Sequence, residues 1–317
     1  MTHFLLRRLL GLVPLLVGIT LVVFVALASI PGGPLTAYRS NPNVRAEDLE
    51  RLERQMGLDQ PLVLRYGRWL GRFAQGDWGY SVITQQPVLT MVGERLVNTL
   101  YLMVAALAVT VALAVPLGVY AAVRQHSAFD YAATGFSFMA YSVPSFWLGL
   151  LFILLFAVRL RWLPAGGMYT LGADFSLADR LRYLVLPTLT LALPSIGFYT
   201  RYLRAGVLEV RHQDFVRTAW AKGVGERRVL FRHVLKNALI PFVTVLAIHA
   251  PQIFTGAIVV ETIFGWPGMG RLYWQSALNF DYPVLMGIMT VSAGLVLLFN
   301  LLADLSYGLL DPRIRYD

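Results

Sequence analysis

The sequence contains no cysteine among its 317 residues, which excludes a disulfide framework, a thiolate metal site and a cysteine nucleophile. Charged residues are also scarce, at 14% of the chain against about 25% in soluble domains. Hydrophobic residues make up 57%, so a soluble fold of this chain would lack the polar side chains needed to cover its surface. We therefore expect an integral membrane protein.

The signatures of common enzymes are missing as well. The sequence has no Gly-x4-Gly-Lys-[Ser/Thr] phosphate-binding loop, so it cannot hydrolyse ATP by that motif. It also lacks the His-Glu-x-x-His pattern of metalloproteases and the Gly-x-Ser-x-Gly pattern of hydrolases. The five histidines are scattered along the chain, and we predict neither a catalytic residue nor a metal site.

Long apolar runs are what the sequence does contain, each near the roughly 20 residues that cross a bilayer as a helix. The third run is overlong and holds Pro144 in its middle, so we expect it to tilt or kink. A cleaved signal peptide is the alternative for the first run, but its apolar stretch exceeds the roughly 7–15 residues of a signal core. The predicted fold is an all-α membrane protein with six transmembrane helices, at about 4–30, 98–122, 131–157, 184–203, 240–260 and 283–302.

The segment between the first two runs is too polar to span a membrane. Helical spacing of apolar residues predicts amphipathic helices there, at about 47–56 and 61–73, whose aromatic side chains need a surface to pack against. We therefore divide the chain into three parts: an N-terminal transmembrane helix at 1–30, an external helical subdomain at 31–95, and a five-helix transmembrane core at 96–317.

Basic residues mark the expected orientation. With the N-terminus inside, the inner segments hold 14 lysines and arginines and the short outer loops hold five, as the positive-inside rule requires. The net charge of +9 is therefore explained by basic residues that fix the orientation of the chain in the bilayer, and it does not indicate nucleic-acid binding. We expect both termini in the cytoplasm and residues 31–95 outside.

A polar island at residues 211–237 separates the fourth and fifth runs. We predict a short helix there with Asp214 as its N-cap, because a carboxylate accepts the free N–H groups of a first helical turn. Phe215 and Ala219 lie four residues apart and are expected to share one face, a bulky knob beside a small residue. This helix is the part of the island that we expect something outside the membrane to contact.

A corner follows this helix. Gly223 and Gly225 supply the permissive backbone that ends a helix and redirects the chain. Glu226 then opens a second helix, whose basic strip is expected to lie against anionic headgroups. The strip consists of Arg228, Arg232 and Lys236.

The island resembles the cytoplasmic coupling loop of inner-membrane permeases of ATP-binding-cassette importers. It is most similar to the dipeptide/oligopeptide branch. Residues 214–241 match almost throughout the sequence pattern of that branch, which is Asp-[Phe/Tyr]-Val-Arg-Thr-Ala, Ala-Lys-Gly and Arg-His-x-Leu-[Arg/Lys]-Asn-Ala-x-x-Pro. The general pattern of such loops is Glu-Ala-Ala, three residues, Gly, nine residues and Ile-x-Leu-Pro, and of it only Ala219, Gly223 and Leu235 match strictly. The resemblance extends over nearly the whole chain, through segments 76–81, 266–271, 281–284 and 311–315.

This resemblance implies a permease subunit of the inner membrane that forms half of a pathway for di- or oligopeptides. It implies an external binding protein that delivers the cargo, a second homologous permease, and two cytoplasmic ATPases that bind ATP and Mg; this chain itself would hold no cofactor. ATP-driven closure of the ATPases would move the coupling loop and reorient the spans. The matching positions that we expect to couple are Asp214, Phe215, Arg217, Thr218, Ala219, Lys222 and Gly223.

The spans carry a mild polar seam. His249, Gln252 and Thr255 follow one another at three-residue spacing on one face of the fifth span. Ser145 in the third span and Ser195 in the fourth are expected to face the same space. Such groups either line the pathway or hold helices together, and His249 is either a substrate contact or a hydrogen-bonded interior histidine.

Two other functional classes stay open at this point. An ion- or proton-driven transporter working alone is one, although the spans lack the buried carboxylate that a proton relay normally needs. A membrane assembly or sensor protein without a transport path is the other. Within the resembled group, substrates include dipeptides, longer peptides, nickel chelates and oligosaccharides, and the sequence does not choose among them.

Overall fold

The computed structural model describes residues 2–31, 33–35, 45–55 and 57–310. Within these ranges the chain is helical and has no β-strand. The helix Ser145–Phe152 passes into a π-helical stretch at Ile153–Arg159. Another helix runs on from Glu226–Arg228 through the π-helical stretch Val229–Leu235 into Lys236–Ile263. The helices are α1 (Thr2–Ala28), α2 (Ala46–Gln55), α3 (Leu62–Ala74), α4 (Val88–Val123), α5 (Ala128–Ser142), α6 (Ser145–Phe152), α7 (Leu177–Arg211), α8 (Asp214–Ala221), α9 (from Glu226), α10 (Met269–Leu278) and α11 (Tyr282–Leu310).

Five helices are long and apolar enough to cross a membrane. The pair Ala128–Ser142 and Ser145–Arg159, bent by 101° at the break, brings the number to six if it is counted as one broken span. The expected kink at Pro144 is thereby confirmed. Proline disfavours helical backbone at the residue before it, and Val143 accordingly has φ −81° and ψ 125°. The five continuous spans are Leu10–Ala28, Val88–Val123, Leu177–Arg211, Glu226–Pro251 and Tyr282–Leu305.

Two helices begin earlier in the chain than the sequence predicted. The second span was expected from 98, but α4 begins at Val88, and the predicted loop before the fourth span already contains the start of α7 at Leu177. There Ser176 caps the helix by accepting the N–H of Asp179 at 3.3 Å. Hydropathy marks the part of a helix that lies in lipid, whereas capping residues decide where the helix itself begins.

The described residues form two compact units, one from 1–98 and 268–298 and the other from 99–267 and 299–317. The division at 1–30, 31–95 and 96–317 stays a prediction. In the first unit, α3 packs on α1 as the sequence predicted for an amphipathic helix. The hydroxyl of Tyr66 donates to the Val17 carbonyl at 2.8 Å and lies 2.9 Å from Oγ1 of Thr20.

The turn at 76–81 is tied to the start of α11 within the same unit. The hydroxyl of Ser81 donates to Oδ2 of Asp281 at 2.5 Å, and the N–H of Val82 donates to Oδ1 at 3.1 Å. Both Ser81 and Asp281 are buried. Two segments that resemble the peptide branch, 200 residues apart in sequence, thus form one hydrogen-bonded structure.

In the second unit, α7 packs closely against its neighbours. A Cβ added to Gly197 would lie 2.7 Å from the carbonyl oxygen of Ser137 on α5, so glycine permits this approach. A bidentate ion pair also joins α5 and α7, because Arg204 donates to the buried Asp130 at 2.5 and 2.7 Å. The core of this unit therefore lies around α7.

Candidate functional site

The polar island folds as the predicted helix, corner and second helix. Helix α8 spans Asp214–Ala221, and the second helix begins at Glu226. That second helix continues without a break into Lys236–Ile263, so no loop separates it from the fifth span. A rigid helical connection thus joins the corner to a membrane span.

The corner is a Schellman turn at Gly223. Its N–H bonds to the carbonyl of Trp220 at 2.9 Å, and the N–H of Val224 bonds to the carbonyl of Ala219 at 3.2 Å, which is the pattern that ends many helices. Gly223 has φ +74°, and no atom lies within 4 Å of the place where a Cβ would stand. Backbone conformation, and not crowding within the chain, therefore requires glycine here.

The predicted N-cap at Asp214 is wrong. The cap position belongs to Gln213, whose carbonyl accepts the N–H groups of Val216 and Arg217, and no side chain caps the helix. Because the helix begins one residue earlier than predicted, Asp214 lies in its first turn and contacts Arg217 at 3.3 Å instead. Its exposed carboxylate still lies at the positive end of the helix dipole.

The predicted shared face of Phe215 and Ala219 is also wrong. Val216 and Ala219 face inward and are buried, whereas Phe215 is 41% exposed and Trp220 is 42% exposed. The inward pair packs in a core cluster with residues of α7, among them Tyr199, Leu203, Val207 and Val210. The outward side of α8, which we call the α8 face, consists of Asp214, Phe215, Arg217, Thr218, Trp220 and Lys222 at its C-terminal end.

The second candidate site is a cavity of about 210 Å³ in the second unit. Ser145, Ser195 and His249 all line it, so the structure brings together three of the residues predicted to face one space. The side chains of the other two, Gln252 and Thr255, lie outside the described residues, although both positions are helical.

Aromatic rings dominate the wall beside His249. Its imidazole stacks on Phe198 with ring centroids 5.0 Å apart and meets the edge of Tyr199 at 6.5 Å. Tyr141 completes this side of the cavity. Sequence reasoning missed these three aromatic residues, because aromatics at helical spacing are common in any transmembrane helix and carry no signal of a cavity.

The cavity wall offers small, aromatic and hydroxyl side chains and, among its described residues, no carboxylate, lysine or arginine. The hydroxyls of Thr190 and Ser195 donate to carbonyls of their own helix, Leu186 at 2.8 Å and Leu191 at 3.4 Å. Such a surface would contact a ligand through apolar, aromatic and hydroxyl groups.

Family comparison covers the entire chain. Residues 114–316 match the family described as the binding-protein-dependent transport system inner membrane component, and residues 1–114 match the N-terminal region of such membrane components. The oligopeptide transport system permease protein AppB of Bacillus subtilis (strain 168) is 41% identical over 317 residues, which is 100% of both chains. A putative peptide permease protein of Brucella suis biovar 1 is 41% identical over 318 residues, with 99% of each chain covered.

Solved structures agree on the fold. The inward-facing MetNI methionine ABC transporter aligns with a TM-score of 0.57 at 15% identity, covering 70% of this chain and 97% of the other. An amino acid ABC transporter solved with histidines aligns with a TM-score of 0.50 at 15% identity, covering 69% and 94%. At this identity the likeness concerns the fold alone.

The family comprises the membrane components of ATP-driven importers, in which ATP is hydrolysed by separate subunits. Family membership implies ATPase partners, a binding protein and a second permease. Two family matches over 1–316 and full-length relatives at 41% identity agree with the apolar helices of the structure. The chain therefore belongs to the inner-membrane components of binding-protein-dependent transport systems, as a multi-pass permease subunit that does not itself hydrolyse ATP.

Proposed function

We propose that this permease imports peptides, delivered to it by an external binding protein, and forms half of the pathway together with a second homologous permease. The observation that carries this proposal is the 41% identity, over the whole of both chains, to a protein named as an oligopeptide permease. Energy would come from two cytoplasmic ATPases that bind ATP and Mg. An ion-driven transporter working alone is not favoured by the family membership.

The cavity supports a substrate class with variable side chains. Its described wall has no ionic group, so it would not trap cargo by one strong charge contact, and its aromatic and small residues tolerate different shapes. We infer that Ser145, Ser195 and His249 line part of the pathway, with Gln252 and Thr255 on the same helix as further candidates.

The α8 face is the proposed contact for an ATPase. Two half-exposed aromatics, Phe215 and Trp220, flank the polar side chains of Asp214, Arg217 and Thr218 on a helix of eight residues. Exposed aromatics on a polar surface are typical of protein interfaces. In this proposal Ala219 anchors the helix from inside, and Gly223 and Lys222 set the turn that orients it.

Uptake of peptide in proteoliposomes tests the proposed substrate. The chain is reconstituted with its partner permease, ATPases and binding protein, and we expect a labelled peptide to accumulate only with ATP inside the compartment that holds the ATPases. A labelled oligosaccharide or nickel chelate serves as the matched comparison. Accumulation of that compound in place of peptide would contradict the substrate class, and accumulation driven by an ion gradient without ATPases would contradict the energy source.

We also propose that both termini and residues 211–237 lie in the cytoplasm and that 31–95 lies outside, from the distribution of lysine and arginine. Because the chain has no cysteine, single cysteines report sidedness directly. A membrane-impermeant maleimide applied to intact cells is expected to label Tyr80→Cys and to leave Lys222→Cys unlabelled until the membrane is opened. Labelling of Lys222→Cys in intact cells would reverse the proposed orientation.

A further inference from the structure

Helix α3 lies against α1 below the expected membrane surface. Tyr66 of α3 contacts Val17 and Thr20, which are near the middle of the membrane-spanning stretch Leu10–Ala28. At about 1.5 Å per residue, Thr20 is roughly 12 Å along the helix from its Ala28 end. The aromatic side of α3 is therefore positioned at the depth of lipid chains, and the helix is an interfacial one.

The side of α3 next to its aromatic residues is basic. Arg65, Arg68 and Arg72 recur at spacings of three and four residues, which places them along one side of the helix. Arg68 and Arg72 are exposed, and Arg65 is half-buried with its guanidinium 5.9 Å from the ring centre of Phe24. Arginine on an interfacial helix keeps its stem in apolar surroundings and extends its charged end to the level of phosphate groups.

These arginines border a cavity of about 430 Å³ within the first unit. Part of its wall is apolar, from Phe24 and Leu27 of α1 and Met286 of α11. The rest carries four arginines, the three of α3 with Arg54, against one carboxylate, Asp77. Asp77 accepts the N–H of Gly79 at 3.1 Å. With four arginines against one carboxylate, positive charge prevails in the cavity.

We propose that this cavity binds an anionic phospholipid, with the phosphate on Arg65, Arg68 and Arg72 and an acyl chain along Phe24, Leu27 and Met286. The guanidinium fork matches a phosphate with two parallel hydrogen bonds. A free anion would use only the charged part of the cavity and leave the apolar wall unoccupied. On α1 the cavity extends from Ala28 to Phe24, four residues inside the end of the span Leu10–Ala28. An acidic protein surface would not enter that apolar part, whereas a lipid of the leaflet at the C-terminal end of α1 fits both parts.

Native mass spectrometry of the purified transporter complex tests the site. Phosphatidylglycerol and phosphatidylcholine are supplied in equal amounts, and we expect retained lipid on the wild type to be mainly phosphatidylglycerol. Arg68→Gln/Arg72→Gln is expected to lower that retention by about 5-fold for each arginine removed. The matched control, Arg51→Gln/Arg95→Gln, removes two arginines of the same unit that do not line the cavity and is expected to retain lipid as the wild type does.

Further measurements distinguish a lipid from a free anion and allow for a variant that does not fold. Added glycerol phosphate is expected not to displace the lipid, because it lacks the apolar chain. Arg68→Lys/Arg72→Lys keeps the charge without the fork and is expected to retain an intermediate amount. If the double glutamine variant does not assemble, Arg68→Gln alone, at an exposed position, gives the same readout with a loss of about 5-fold.

Four outcomes would overturn the proposal. They are wild-type retention of phosphatidylglycerol by the arginine variants, equal retention of phosphatidylcholine by the wild type, and displacement of the lipid by glycerol phosphate. The fourth is loss of binding-protein capture with unchanged lipid retention, which would assign the arginines to a protein partner.

Discussion

Gly223→Val is expected to leave the permease in the membrane and to reduce binding-protein-stimulated ATP hydrolysis by roughly 10-fold. Gly223 has φ +74°, and left-handed backbone costs a residue with a side chain about 1–2 kcal/mol, which corresponds to a factor of about 5–30 in an equilibrium. The two hydrogen bonds of the Schellman turn are lost when this residue leaves that conformation. Since α8 has only eight residues, its direction depends on the turn that ends it.

The chain offers a matched control two residues away. Gly225 has an ordinary φ of −60°, and no atom lies within 4 Å of the place of its Cβ, so Gly225→Val is expected to behave as the wild type. Gly223→Asn is expected to retain most of the stimulation, because asparagine tolerates the left-handed region. Co-purification of the ATPases together with stimulated hydrolysis measures the effect. Wild-type values for Gly223→Val would show that the corner does not position a coupling element.

Ser145→Trp is expected to lower transport by more than about 10-fold, a loss of at least about 1.4 kcal/mol in the transport step, while the complex still assembles. Ser145 lies in the first turn of α6 and lines the cavity of about 210 Å³ beside His249. An indole there would occupy much of that space and would block the passage of the substrate. Ser145 is not among the residues proposed to contact the ATPases, so stimulated ATP hydrolysis is expected to persist.

Ser142→Trp is the matched control for this substitution. Ser142 is three residues earlier on the same broken span, but it is exposed and is not part of the cavity wall. Peptide uptake and stimulated ATP hydrolysis, measured side by side in proteoliposomes, separate blockage from loss of assembly. Equal uptake by the two variants would contradict the pathway assignment and would indicate that Ser145, Ser195 and His249 serve in helix packing.

The order of the helices was predictable from the sequence, because long apolar runs have few alternatives in a membrane protein. Their limits were less so. Pro144 signals its break directly, since proline acts on its own neighbours. The starts of α4 and α7 lie outside the apolar runs, where the helix persists through polar residues until a capping residue such as Ser176 stops it.

The error about the shared face of α8 has a clear cause. A period of 3.6 residues allows Phe215 with Ala219 or Val216 with Ala219 to form a face, and spacing alone does not choose between them. The choice is made by α7, whose buried Tyr199, Leu203 and Val207 surround Val216 and Ala219. Once the inward pair is fixed, Phe215 and Trp220 are left outside, and this second aromatic was not among the predicted coupling residues.

Contacts between residues far apart in the sequence could not be predicted from local patterns. The pairing of Asp130 with Arg204 joins residues 74 positions apart, and neither residue was singled out by its surroundings in the sequence. Three of the predicted pathway residues do meet in one cavity. The aromatic wall formed by Tyr141, Phe198 and Tyr199 needed the structure.

The central claim is that the α8 face contacts an ATPase, and site-specific cross-linking tests it most directly. Single cysteines are placed in this cysteine-free chain at Phe215 and Trp220, with exposed Ile83 of the 31–95 segment as the control. A short thiol-to-amine cross-linker is applied to the assembled complex, and the adducts are identified by mass. The account predicts ATPase adducts from Phe215→Cys and Trp220→Cys and none from Ile83→Cys. Absence of ATPase adducts at both α8 positions, with an ATPase adduct at Ile83→Cys, would contradict it.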